Sequence, residues 1–97
     1  MTAYLIVNYD VDDAEGYGEY QKGAMGALRI GSDTGVKALD GDTETIEGTG
    51  AGKQTVILEF ESKDKAREIY NSGEYQAIVG QRHAATSNHF AILVDTM

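Results

Sequence analysis

One arginine and several tyrosines are the side chains of this sequence best suited to recognising a small molecule. Arg82 shares a predicted helical face with Tyr75, so its guanidinium should be at least partly buried. A buried cation needs a partner. One interpretation is a structural ion pair with Glu59, Glu74 or an acidic residue of another subunit. The other is that Arg82 binds the carboxylate of a small organic acid, oriented by the hydroxyls of Tyr20 and Tyr75.

Three further polar residues are candidates for the same site. Asn8 and Glu59 lie on predicted strands, where Asn8 would supply a polar contact and Glu59 a contact or a general base. His83 follows Arg82, and an adjacent cation favours the neutral imidazole, which is the form that acts as a base near pH 7. His83 and Glu59 are therefore the catalytic candidates, and Arg82, Tyr75, Tyr20 and Asn8 the ligand-binding ones.

The sequence predicts neither a metal nor a cofactor. It has no cysteine and two histidines without further histidines at ligand spacing. The acidic runs near residues 10–13 and 40–44 fit helix caps and turns better than a calcium loop. The segment GTGAGKQT resembles a phosphate-binding loop, but Glu47 replaces its first glycine, Gln54 replaces its hydroxyl residue, and a strand follows it.

Composition limits the remaining partners. The 97 residues fit one domain spanning 1–97, and the net charge of −8 repels nucleic acid and anionic lipid. No apolar run approaches the roughly 20 residues that span a bilayer, and no cationic segment precedes the first apolar stretch. We therefore expect a cytoplasmic protein with no membrane or nucleic-acid partner.

The first half of the chain reads as a strand, a helix and a hairpin. Residues 2–9 form an apolar strand, and Asp12 is the predicted N-cap of a helix over 13–29. The dipeptide Asp40-Gly41 lies between GVKAL and TETIEG, which predicts a tight β-hairpin. A loop over 48–53 then leads to the most apolar strand, Gln54–Phe60.

The second half reads as a broken helix and a last strand. Ser62 caps a helix that Gly73 ends through a left-handed conformation. A second helical run extends from Glu74 to about Ala85, the segment 86–88 turns, and HFAILVD forms the closing strand.

This order predicts an α+β, ferredoxin-like split βαβ sandwich with one extra hairpin strand. Two helices cover only one face of such a sheet, yet neither face is polar, as shown by Tyr4, Ile6, Leu58, Phe60 and Ile92. A second copy of the chain is the simplest cover for the other face, which predicts a homodimer.

The same elements carry a family resemblance, through residues spread over nearly the whole chain: Tyr17, Tyr20, Ile46-Glu47-Gly48, Glu59-Phe60, Ser62, Tyr70, Ser72, Tyr75 and Arg82. With these residues the sequence resembles the family called domain of unknown function 1330. The resemblance implies a dimeric α+β barrel, in a superfamily that also holds muconolactone isomerases and antibiotic-biosynthesis monooxygenases.

Two functions fit this reading. The first is a cofactor-free, isomerase- or oxygenase-like enzyme that has a pocket for an organic acid or lactone in each subunit. The second is a ligand-binding or accessory protein without turnover, in which the same residues only stabilise the dimer. A subunit of a larger assembly is the third alternative.

Overall fold

The computed structural model describes residues 2–97 as one antiparallel sheet with helices on one side. The elements in chain order are β1 (Ala3–Val11), α1 (Ala14–Ala27), β2 (Gly35–Asp40), β3 (Gln54–Phe60), α2 (Lys63–Tyr70), α3 (Gly73–Gln76), α4 (Val79–Ala85) and β4 (Thr86–Asp95). The strand order is β2-β3-β1-β4, and every neighbouring pair is antiparallel. This is the split βαβ arrangement, so the predicted ferredoxin-like α+β fold is confirmed.

The two faces of the sheet differ in what covers them. Side chains that alternate along β1 and β3 point to the helices and are buried with α1, α2 and α4, among them Leu5, Val7, Tyr9, Leu58 and Phe60. The register pairs Ile6 with both Ile57 and Ile92 on the opposite, helix-free face. On that face of the single chain, Phe90 is 45% exposed and Ile92 is 48% exposed. The helix-free face therefore presents apolar surface, as the sequence predicted.

The predicted hairpin does not form, so there is no extra strand among the described residues. The Asp40 carboxylate accepts a hydrogen bond from the backbone of Asp42 (2.8 Å), which gives an Asx turn in place of a type I′ turn. β2 pairs with β3, and residues 43–48 have no strand structure. The backbone N–H of Thr43 donates a hydrogen bond to the carbonyl of Lys53 (2.9 Å), which closes a loop that we call the 44–52 loop.

The helix ends also differ in detail from the prediction. Asp13, one residue after the predicted Asp12, caps α1 by accepting from Gly16 (3.1 Å), while Ser62 caps α2 as predicted. Gly73 has no left-handed backbone and is the first residue of α3, because α2 ends at its C-cap Asn71 and the extended Ser72 caps the next helix.

The last third of the chain is more finely divided than expected. The predicted helix from Glu74 to Ala85 is two helices, α3 and α4, separated at Ala77 and Ile78. The predicted turn at 86–88 is the start of β4, which contains an irregularity where Asn88 has a φ of 52°. No helix in residues 2–97 is long and apolar enough to cross a membrane.

Candidate functional site

A cavity of about 110 Å³ lies between α1 and the helix-covered face of the sheet. Its walls are apolar side chains of α1, β1 and β3, such as Ala24, Val7 and Leu58. The most exposed lining residues, Met25, Val36 and Leu39, place its opening between α1 and the edge strand β2. The polar lining groups come mainly from four tyrosines and one arginine: Tyr9, Tyr17, Tyr20, Tyr75 and Arg82.

The four tyrosines form two hydrogen-bonded pairs. The hydroxyl of Tyr9 lies 2.6 Å from that of Tyr17, and the hydroxyl of Tyr20 lies 2.6 Å from that of Tyr75. The rings of Tyr17 and Tyr20, one helical turn apart on α1, have centroids 5.8 Å apart and so join the two pairs. The result is a continuous row of aromatic rings with hydroxyls beside one cavity.

Arg82 is 3% exposed and makes only neutral contacts. Its Nη1 donates to the hydroxyl of Tyr75 (3.2 Å), its Nη2 donates more weakly to that of Tyr70 (3.5 Å), and its guanidinium carbon is 5.6 Å from the centre of the Tyr9 ring. Its Nε has no acceptor among residues 2–97. No carboxylate of the described chain forms an ion pair with it, so the predicted pairing with Glu59 or Glu74 is wrong within the subunit.

Burial keeps the phenols neutral. Desolvation raises the pKa of Tyr9, Tyr20 and Tyr75 above the usual tyrosine value, and the hydrogen bond between Tyr9 and Tyr17 raises that of Tyr9 further. Burial lowers the pKa of Arg82, but the neighbouring tyrosines outweigh this effect and the net direction is upward. At neutral pH the polar lining of the cavity therefore consists mainly of one cation and uncharged hydroxyls.

His83 contacts Arg82 from outside the cavity. Its side chain is exposed, its Nε2 lies 3.2 Å from Arg82 Nη2, and its ring stacks on His89 with centroids 4.9 Å apart. Partial burial lowers the pKa of His83, and the charges of Arg82 and His89 lower it further. The predicted neutral imidazole is therefore beside the arginine, but His83 does not line the cavity.

Asn8 and Glu59 are on the other face of the sheet. Both pair in register with helix-free-face positions, since Asn8 lies opposite Phe90 and Glu59 opposite Tyr4. The side chain of Asn8 exchanges two hydrogen bonds with the backbone of Gly52, which attaches the 44–52 loop to the sheet. Glu59 forms an ion pair with Lys37 (3.6 Å). Neither residue lines the cavity with Arg82, Tyr20 and Tyr75.

The structure adds Tyr9 and the Tyr9–Tyr17 pair to the site. The sequence contained a signal for Tyr9, because it alternates with Leu5 and Val7 on the face that contacts the helices. Asn8 is out of phase with these residues, which assigns it to the opposite face.

This arrangement suits an anion with an apolar body. The cavity has one buried positive charge and several hydroxyl donors, and no aspartate or glutamate is part of its lining in the described chain. Within residues 2–97, no three histidine, aspartate or glutamate side chains come together at a spacing that holds a metal ion.

The fold and the cavity define a small ferredoxin-like α+β protein with a cavity between its helices and its sheet. The chain belongs to the family described as domain of unknown function (DUF1330), whose model matches residues 2–97. This confirms the resemblance inferred from the sequence. No functionally curated protein matches the chain.

Solved structures share the fold at low sequence identity. A protein of unknown function from Rhodopseudomonas palustris is 16% identical with a TM-score of 0.78, over 99% of this chain and 82% of that one. A dimeric ferredoxin-like protein of unknown function from Thermobifida fusca is 11% identical with a TM-score of 0.66, over 99% and 92%. A protein described as a candidate antibiotic biosynthesis monooxygenase, from Caulobacter crescentus, is 12% identical with a TM-score of 0.63, over 99% and 90%.

Proposed function

We propose that this protein is a homodimer that binds a small organic acid in the cavity of each subunit, with the carboxylate on Arg82. The observation that carries the proposal is the buried guanidinium of Arg82, which no carboxylate of residues 2–97 neutralises. A buried ion without a counter-charge is unfavourable, whereas a bidentate carboxylate would supply both charge and acceptors.

The rest of the cavity limits the body of the ligand. Its walls are apolar, and its volume of about 110 Å³ is similar to the roughly 150 Å³ cavity that holds one benzene ring in another protein. A compact acid or lactone whose apolar body is no larger than a benzene ring fits this space. The hydroxyls of Tyr20 and Tyr75 would orient its polar end.

The homodimer is supported by the apolar helix-free face. Ile6, Ile57 and Ile92 meet there across three strands, and Phe90 continues the surface. The Thermobifida fusca neighbour is described as dimeric. Two copies of this face would bury each other about a two-fold axis.

A thermal-shift screen of small carboxylic acids and lactones tests the proposal on the wild type and Arg82→Ala. We expect compact acids to raise the midpoint of the wild type and to leave that of Arg82→Ala unchanged, because ligand binding stabilises only the folded state that can bind. If no acid stabilises the wild type selectively, the proposal fails.

A cofactor-free, isomerase- or oxygenase-like activity is the second candidate. It is favoured by the row Arg82, Tyr75 and Tyr20, whose donors would stabilise a developing enolate oxygen. His83 is the nearest candidate base, although it contacts Arg82 from the exposed side. Solvent deuterium uptake into a bound lactone, followed by NMR, tests isomerase chemistry, and oxygen consumption tests the oxygenase. If both are absent for acids that bind, the protein binds its ligand without turnover.

A further inference from the structure

We infer that the ligand carries, beside its carboxylate, a second oxygen acceptor such as a keto, lactone or enolate oxygen, and no hydrogen-bond donor at that end. This inference rests on the proposed organic-acid site and specifies the class of acid. It follows from how the hydroxyl protons of the two tyrosine pairs are used.

Each tyrosine pair has one proton more than it can use internally. A phenol has one proton, so the pair Tyr9–Tyr17 contains two, and its single 2.6 Å contact uses one of them. The same holds for Tyr20 and Tyr75. Whichever oxygen donates, the other hydroxyl keeps a proton with no acceptor among residues 2–97. A hydroxyl proton left over in this way is called a spare proton below.

Arg82 does not relieve this excess, because a guanidinium only donates. Its Nη1 already donates to the Tyr75 oxygen, and its Nε has no acceptor in the described chain. The cavity thus borders two spare protons and an arginine, and its lining contains no carboxylate. Gln21, the other polar side chain of the lining, is on the exposed side of α1.

A carboxylate bound end-on at Arg82 directs both of its oxygens to the guanidinium, and the two spare protons are donors beyond those N–H groups. The rings of Tyr9, Tyr17, Tyr20 and Tyr75 follow one another with centroid spacings of 5.6, 5.8 and 6.3 Å, so the two spare protons lie in different pairs along the row. A second acceptor on the ligand would receive a proton that the carboxylate leaves unused. A donor at the same place would face another donor, which is unfavourable in a buried site.

Three acids with one carbon skeleton test this inference by calorimetry on the full chain. The first, 4-methyl-2-oxopentanoate, has the extra acceptor, 4-methylpentanoate lacks it, and leucine replaces it with a donor. We expect the 2-oxo acid to bind at least tenfold more tightly than 4-methylpentanoate, and leucine to bind less tightly than either.

Tyrosine-to-phenylalanine variants test whether the spare protons cause this preference. In Tyr17→Phe the proton of Tyr9 becomes the spare one, so the preference for the 2-oxo acid should change less than twofold. The double variant Tyr9→Phe/Tyr17→Phe has no proton in that pair. We expect it, or the matching Tyr20→Phe/Tyr75→Phe, to reduce the preference at least fivefold, with a thermal melt confirming that each variant folds.

The outcomes separate this inference from the proposed function. If 4-methylpentanoate binds in an Arg82-dependent way and the 2-oxo acid binds no better, the second acceptor is refuted and the organic-acid site stands. If neither acid binds, both proposals fail. If both double variants retain the preference for the 2-oxo acid, the inference is also overturned. If the double variants do not fold, the relative affinities of the three acids for the wild type decide whether the inference holds.

Discussion

Arg82 donates from its Nη2 to Nε2 of His83 over 3.2 Å, so a buried cation and an exposed imidazole of adjacent residues are joined directly. The imidazole can accept this bond only when Nε2 carries no proton. The contact therefore links the charge inside the cavity to a group that titrates at the protein surface. It requires neutral His83, which agrees with the lowered pKa of that residue.

This contact predicts how stability depends on pH. The folded chain holds the pKa of His83 below the value of about 6.5 of an unfolded histidine, so the unfolded state binds more protons between the two values. The contribution of neutral His83 to the free energy of unfolding is complete above pH 6.5 and is lost as the pH falls through the interval between the two pKa values. Urea unfolding from pH 7.5 to 5 should show a weaker pH dependence in His83→Gln. The control His89→Gln should retain more of it, and equal slopes for wild type and His83→Gln would contradict the assignment.

Replacing Arg82 by methionine separates a ligand site from a structural role. Because no carboxylate of residues 2–97 pairs with the guanidinium, we expect Arg82→Met to change the free energy of unfolding by less than about 1 kcal/mol, or to raise it. The matched control is Arg67→Met, which removes an exposed ion pair with Asp64 and should change stability by at most about 1 kcal/mol. A loss of about 3–5 kcal/mol in Arg82→Met would indicate a broken buried pair, contributed by another subunit.

Gly52 is the glycine whose replacement should disturb the fold most clearly. A Cβ there would lie 2.3 Å from the carbonyl carbon of Tyr9 and 2.4 Å from its oxygen, where the 44–52 loop crosses β1. We expect Gly52→Ala to lower the free energy of unfolding by about 1–3 kcal/mol. Gly18 in α1 has open space around it, so the control Gly18→Ala should raise stability by about 0.5–1 kcal/mol. Equal effects of the two substitutions in denaturant unfolding would contradict the close approach.

The helix-free face predicts the response of the oligomer to a buried charge. Ile92 is in the middle of β4 on that face, and Ile92→Asp should shift the protein toward monomers in light scattering, because a carboxylate would be desolvated in the interface. Ile46 is 86% exposed in the 44–52 loop, so Ile46→Asp is a control with the same chemistry. A wild type that is monomeric at micromolar concentration would refute the dimer.

Most of the fold could be predicted because its signals are local. Continuous apolar runs rich in β-branched residues identify β1 and β3, and Ser62 identifies the start of α2. The predicted hairpin at Asp40-Gly41 is wrong because a turn signal does not specify which segment pairs with the strand that precedes it. The residues after Asp40 are not in a strand, and β2 pairs with β3, which follows the 44–52 loop. The hydrogen bond between Asn8 and Gly52 is a long-range contact that holds this loop on the sheet.

The site was only partly predictable for the same reason. Helical spacing correctly indicated a buried Arg82 near Tyr75, because both lie on one short stretch of chain. The partners of Arg82 depend on tertiary packing, which brings Tyr9 from β1 beneath the guanidinium and leaves Glu59 on the opposite face. The alternation of side chains between the two faces of a strand would alone have excluded Asn8 and Glu59 from the site and included Tyr9.

A crystal structure of the protein with 4-methyl-2-oxopentanoate tests the central claim most directly, since it shows what neutralises Arg82. We predict a carboxylate oxygen of the ligand within 2.7–3.2 Å of the Arg82 guanidinium, inside the cavity of each subunit. An Arg82 side chain already paired with a carboxylate of the other subunit, with the acid bound elsewhere or not at all, would contradict the claim.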